Sequence, residues 1–211
     1  MGNYQEMMDV FNKKGYHAEY FATPEEAKAR VMELVDGAQS VGFGGSMTLN
    51  EMGIYDAVVQ HAEATGAEIY GSQYEEQKEA PDIAGMRKKA IFSDVYLTST
   101  NALTTQGDLI NIDAVGNRVA AMFFGPKDVI VVCGTNKIVD NPHQAIARIK
   151  QTASPKNTKR LNCNTPCFRT GKCNENECTP PGRICKVTVR IQFPPRDVNM
   201  HVLLVEGDYG Y

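Results

Sequence analysis

No stretch of this chain is apolar over anything near the roughly 18 residues that a membrane-spanning helix needs. Residues 1–10 carry acidic and amide side chains where a secretory leader would carry an apolar core. Both absences lead us to expect a cytoplasmic protein. Charge of one sign is also scarce, because 22 basic and 25 acidic residues leave a net charge of -3. That is too little for general attraction to nucleic acid or to an acidic membrane surface, so neither is expected as a partner. The histidines, His17, His61, His143 and His201, are scattered, without metal-ligand spacing and without a nucleophile beside them in sequence. There is no internal repeat and no low-complexity tract. Neither the phosphate-loop lysine signature nor the dinucleotide fingerprint occurs.

What is there describes an ordinary globular chain: 42% of its 211 residues are hydrophobic and 22% charged, enough for one core of moderate size. Residues 4–16 read as a helix with Met7, Met8 and Phe11 on one side. Thr23-Pro24-Glu25-Glu26 is a capping box with proline at the first helical position, and Ala27, Val31, Leu34 and Val35 follow at helical spacing. Residues 51–64 read as a helix interrupted at Gly53, and Asn141-Pro142 caps a helix carrying Ala145, Ile146 and Ile149. Strand-like runs fall at residues 18–21, 40–43, 67–70, 91–98, 109–113 and 129–133. The polar stretch 73–89 predicts a loop and then a helix lying over a site, and residues 99–104 predict a loop or helix start near a ligand. Short apolar strands alternating with amphipathic helices predict an open, mainly parallel α/β sheet with helices on both faces. Residues 1–155 carry that pattern. Residues 156–211 add a cysteine-rich segment and C-terminal strands, one with Val187, Val189 and Ile191 alternating and one at 202–205, packed on the same domain.

The most informative stretch runs from Val41 to Glu51, a strand end, a glycine-rich turn and a helix start in succession. Gly44 and Gly45 allow positive φ and close backbone approach, and Thr48 with Glu51 reads as a capping box. Backbone amides and the Ser46 and Thr48 hydroxyls would then grip a carboxylate or phosphate; the alternative is a tight turn that binds nothing. Ligands of open α/β sheets bind beyond the carboxyl ends of strands. Asn101 and Thr104, Asn117 and Arg118, and Lys137 all follow strand candidates, so one crevice could collect them. Arg118 could hold a carboxylate in two parallel hydrogen bonds and Asp113 could act as a base, unless the two form an internal ion pair. Lys137 either adds charge to an anionic ligand or is a solvated surface residue.

Five of the six cysteines crowd into residues 163–185, while Cys133 stands alone in an apolar run where it reads as a small core residue. In a reducing compartment such crowding suggests metal rather than disulfides. Cys167, Cys173, Cys178 and Cys185 are the expected ligands, with Cys163 spare, for an iron-sulfur cluster or a zinc ion. Their spacing matches neither paired zinc-ribbon cysteines nor the bacterial ferredoxin run.

Taken in order, Gly42 to Gly53, Thr98-Ser99-Thr100-Asn101-Ala102-Leu103-Thr104, Gly107-Asp108-Leu109-Ile110-Asn111-Ile112-Asp113, Gly116-Asn117-Arg118-Val119-Ala120 and Gly125-Pro126-Lys127-Asp128-Val129-Ile130 resemble the lactate-utilization (LUD) domain family. The resemblance implies the fold shared by ribose-phosphate isomerases, glucosamine-phosphate deaminases and CoA transferases. It also implies a place in bacterial oxidation of L-lactate to pyruvate, beside iron-sulfur or flavin protein partners. The cysteine-rich tail resembles that of short, stand-alone members. A small anionic metabolite is the ligand this resemblance leads one to expect; homo-oligomerisation stays open. The alternatives are a non-redox enzyme acting on a sugar phosphate or CoA ester, or a subunit without turnover of its own. No counterpart of the CoA-transferase glutamate is found, and Ser99-Thr100-Asn101 stands where the isomerases carry an acidic pair, so a shared fold transfers neither activity.

Overall fold

The computed structural model describes residues 4–211, so the first three residues of the segment without a leader's apolar core lie outside the described part. Strands β1 (His17–Phe21), β2 (Ser40–Phe43), β3 (Glu68–Tyr70), β4 (Val95–Thr98), β5 (Ala102–Thr104), β6 (Leu109–Asp113), β7 (Asp128–Gly134), β8 (Ile138–Val139), β9 (Val187–Ile191) and β10 (Asn199–Val205) form two sheets. The larger has the order β1-β10-β7-β4-β2-β3, and every pair in it is parallel. The expected mainly parallel α/β sheet is therefore what this chain forms. A second, mixed sheet of order β8-β5-β6-β9 was not foreseen.

Side-chain alternation along β7 explains why both faces of the larger sheet are covered. Val129, Val131 and Cys133 join one apolar cluster, and Ile130 and Val132 join the other. The first cluster takes Met7, Met8 and Phe11 of α1 (Tyr4–Lys13). Burial of each such side chain stabilises by about 2 kcal/mol. The second takes Ala27, Val31 and Val35 of α2 (Pro24–Val35), whose Thr23 capping box is present as expected. It also takes Leu49 of α3 (Met47–Glu51) and Ile54, Tyr55, Val58 and Ala62 of α4 (Ile54–Thr65), two helices separated at Gly53, where φ is +63°. Helices α5 (Ser72–Glu75) and α6 (Ile83–Ala90) fill the polar stretch. On the first face, α7 (Asn117–Phe123) contributes Ala121 and Met122.

Helix α8 (Pro142–Arg148) continues through a π-helical stretch, Ile149–Ala153, into α9 (Ser154–Arg160), and α10 (Pro166–Thr170) follows. No break in secondary structure marks residue 155. The last segment returns to the middle of the larger sheet, because β10 pairs with both β1 and β7. Residues 99–104, expected as a loop or helix start, instead enter β5. No helix among the described residues is long and apolar enough to cross a membrane.

The second sheet is tied to the first cluster by a buried acid. Asp108 is 1% exposed, and its oxygens accept from Lys14 at 2.9 Å and from Arg190 at 2.7 Å. Removing the acid in Asp108→Ala leaves two cations without their partner. Both keep contact with water, so we expect a loss of about 2 kcal/mol, below the cost of breaking a fully buried pair. A wild-type denaturant midpoint for this variant would contradict that role.

Candidate functional site

Adjacent parallel strands β2, β4 and β7 end on the same edge of the larger sheet, and the chain leaving each of them enters one cleft of about 420 Å³. After β2 come Gly45, Ser46 and Thr48; after β4 come Ser99 and Asn101; after β7 comes Lys137. Asp113, Asn117 and Arg118 complete the inner wall. Of the ligand-binding residues expected from sequence, Gly44 is absent from the lining, and so is Thr104. It is buried in a turn, where its hydroxyl accepts from the Asp108 amide.

The glycine turn works differently from its sequence reading. Neither Gly44 nor Gly45 has positive φ. The cap of α3 is Ser46, whose Oγ accepts from the Leu49 amide at 3.3 Å, so Thr48 lies inside the first turn rather than before it. Gly44 is required by crowding: a Cβ there would lie 2.7 Å from Thr98 Oγ1 and 3.0 Å from Arg118 Cγ. At Gly45 a Cβ would meet nothing within 4 Å. We therefore expect Gly44→Ala to lower stability by about 1–3 kcal/mol and Gly45→Ala to leave it unchanged, as read by thermal unfolding. Equal effects at the two positions would refute the role of crowding.

Lys137, read from sequence as either a ligand-binding charge or a surface lysine, is 2% exposed. Its Nζ donates to Thr48 Oγ1 at 2.7 Å and to Ser99 Oγ at 3.0 Å. Among the described residues no carboxylate lies within ion-pair distance of it. Burial pulls its ammonium down to about 8, and the nearby Arg148 and Arg118 charges push the same way. Thr48 in turn donates to the Tyr209 carbonyl at 3.2 Å, which seats residues after β10 against the cleft floor.

Arg118 is not an open fork. Its Nη1 donates to Asn111 Oδ1 at 2.9 Å and its Nη2 to Asn101 Oδ1 and to the Ile112 carbonyl, both at 3.0 Å. Its Nε is 3.9 Å from Asp113 Oδ2. Asp113 accepts from the amides of Ala114 and Val119 and so fixes the start of α7. Both side chains hold the cleft wall in shape. The Asn117 side chain, by contrast, has no partner among the described residues.

Two further cations line the outer part of the cleft. Arg87, on the helix expected to cover a site, has no acid within ion-pair distance among the described residues. Arg160 of α9 donates to the Tyr211 hydroxyl at 2.7 Å and to Asn157 Oδ1. Nothing in the local sequence around Arg160 singled it out. Four cations, Arg87, Arg118, Lys137 and Arg160, thus face two carboxylates, Glu76 and Asp113. The cleft is cationic and suits an anion.

A second, smaller cavity adjoins it. Cys167, Cys173, Cys178 and Cys185 line this cavity with Lys150, Glu175 and Arg183, and Cys163 stands outside. Cys167 is held between the Thr165 and Thr158 hydroxyls, 3.3 and 3.5 Å from its sulfur, and Cys185 lies 3.2 Å from Ser154 Oγ. Arg183 donates to the backbone carbonyls of Cys178 and Cys185. Ser154, Ile184 and Cys185 belong to the walls of both cavities. All six cysteines are free, and Cys133 is fully buried in the sheet core, where burial raises its thiol to about 12.

A family model described as the LUD domain matches residues 4–205. Among solved structures, a DUF162 family protein from Deinococcus radiodurans resembles this chain with a TM-score of 0.51 at 13% identity, over 98% of this chain and 100% of that one. No curated protein matches the chain.

Proposed function

The chain belongs to the LUD domain family, associated with lactate utilization in general, and on that premise we propose that its cleft binds a small anionic metabolite within a redox pathway such as L-lactate oxidation. The ligand is a 2-hydroxy or 2-oxo acid, or a phosphate. Lys137 is the observation that carries this reading. A buried ammonium with two neutral hydroxyl partners lacks the counter-charge that buried cations normally have, and an anion entering the cleft supplies it. The carboxylate meets Lys137 and the Ser46 side of the turn, and the oxygen on the second carbon meets the unpartnered Asn117 amide. Asp113 and Arg118 act as positioning residues, through the backbone and the Asn101 side chain that they hold. The four-thiol cavity beside the cleft holds a soft metal centre, an iron-sulfur cluster or zinc, in this reading.

One observation favours a second reading. A cleft of about 420 Å³ has room for more than a three-carbon acid, which suits a sugar phosphate or a CoA ester handled without redox chemistry. Calorimetric titration of the protein with L-lactate, pyruvate, inorganic phosphate, ribose 5-phosphate and CoA separates the two. Saturable binding of L-lactate or pyruvate supports the first reading, and binding of only the larger ligands supports the second. If none binds, the cleft is not an anion site.

A further inference from the structure

The partners around Lys137 fix where its hydrogens go. Thr48 Oγ1 donates to the Tyr209 carbonyl at 3.2 Å, and Ser99 Oγ donates either to Thr48 Oγ1 at 3.3 Å or to the Thr100 carbonyl at 3.4 Å. Both hydroxyls therefore accept from Lys137 Nζ, at 2.7 and 3.0 Å. These two contacts use both N–H bonds of a neutral amine, and the direction left on nitrogen carries either a third proton or a lone pair. Among the described residues no carboxylate is within ion-pair distance to hold that third proton, and Lys137 lies on the lining of the cleft that a ligand enters. Burial favours the uncharged form, Arg148 and Arg118 add to it, Cys133 and Glu51 act the other way, and the ammonium titrates at about 8. At pH 7 about a tenth of such a lysine is free amine, against about one in 3,000 for a lysine at 10.5. We propose that Lys137 is a nucleophile that adds to C2 of a 2-oxo acid in the cleft and holds the acid as an iminium.

This chemistry rests on the anion reading above and narrows the ligand to 2-oxo acids, because a 2-hydroxy acid or a phosphate offers no carbonyl carbon. A carboxylate that meets Nζ brings C2, one bond away, within reach of the same nitrogen. The Asn117 amide at the C2 oxygen then draws charge from that carbon. Docking uses the ammonium and addition uses the amine, and a lysine titrating at about 8 supplies both. The ammonium first gives a proton to water. Its lone pair forms the N–C2 bond while the C2–O π pair moves to oxygen. Ser99 Oγ, beside Nζ and with its own hydrogen tied to no single acceptor, passes a nitrogen proton to that oxygen. A second proton, equal to the one released, lets the oxygen leave as water while the nitrogen lone pair closes the C=N bond. One ammonium and one ketone enter, one iminium and one water result, and no oxidant or reductant is consumed. The iminium keeps its positive charge beside the acid's own carboxylate, so the buried cation gains the counter-charge that it lacks in the free protein.

The test is reductive trapping on the full chain, which is incubated with pyruvate and sodium cyanoborohydride, digested and read by mass spectrometry. We expect the peptide holding Lys137 to gain about 72 Da, the mass of a reduced pyruvate adduct on a lysine amine. The gain is expected to saturate with pyruvate and to form about 100-fold faster than on a solvent-exposed lysine. L-lactate alone is expected to leave the mass unchanged and, in excess, to slow the labelling by pyruvate. Lys137→Met is expected to keep the circular dichroism spectrum of the wild type and to take no fast adduct. An unmodified Lys137, or labelling spread evenly over the lysines, overturns the proposal. Its failure is distinguishable from failure of the anion reading. Calorimetric binding of pyruvate without an adduct refutes only the nucleophile, whereas an adduct formed at Lys137 as readily from acetone as from pyruvate refutes the anion site and leaves the nucleophile standing.

Discussion

Lys137→Met is expected to weaken binding of the cleft's anion by about 100-fold or more in the same calorimetric titration, because a charge-assisted contact in a water-poor site is lost outright. Loss of binding alone would also follow from a damaged fold, so the pH dependence gives the sharper reading. The folded ammonium is pulled from 10.5 to about 8. Between those values the unfolded chain holds a proton that the folded chain does not, so stability of the ligand-free protein rises as pH rises from about 8 to about 10.5. The shift corresponds to about 3 kcal/mol. At pH 7 the methionine variant is therefore expected to unfold at a higher denaturant concentration than the wild type, and to lack the alkaline rise. Anion affinity runs the other way: it falls in the wild type as pH passes about 8, where the ammonium loses its proton. A variant that is both less stable and unable to bind would rule out Lys137 as a strained cation waiting for an anionic partner.

Arg118→Ala carries the second large effect, expected in stability. Two asparagine side chains and the Ile112 carbonyl lose a charged donor, the asparagine oxygens keeping only the Asn101 and Ile112 amides, and these groups shape the wall between β5, β6 and α7. Losing these hydrogen bonds from a charged, partly buried group costs about 3 kcal/mol. Arg118→Lys is expected to recover little of it, since one ammonium cannot span Asn101 and Asn111 with the geometry of a planar guanidinium. Chemical denaturation of both variants checks this, and full recovery by lysine would show that charge rather than shape matters at this position.

How far the site could be read from sequence depends on what each signal measures. Hydrophobic alternation and capping residues report local structure, so β1, β2, β3, β6, β7 and the helix after Thr23 were legible. Small polar residues after strand ends report the edge at which parallel strands finish, and that placed Gly45, Ser46, Thr48, Asn101, Asn117 and Lys137 on one cleft. Burial of a charge is a tertiary property. Gly134-Thr135-Asn136-Lys137 reads as a surface turn, and Lys137 is covered only because Thr48, Ser99 and Gly210 arrive from elsewhere in the chain. Thr104 failed for a related reason, since the strand β5 that begins two residues earlier carries it away from the cleft that Asn101 lines. The partners of the apparent Arg118 fork, Asn101 and Asn111, were visible in the sequence, but nothing in it said that the arginine was already taken.

A ribosome delivers β1 and β7 long before the strand that lies between them. Until residues 199–205 emerge, the two strands have no common neighbour, and each keeps an open hydrogen-bonding edge. The four cysteines leave the ribosome ahead of β10, on a stretch whose start follows α9 and whose far end runs into β9, a strand that pairs with the already made β6. The smaller sheet thus ties down the far side of the cysteine segment, and it can do so before the larger sheet closes.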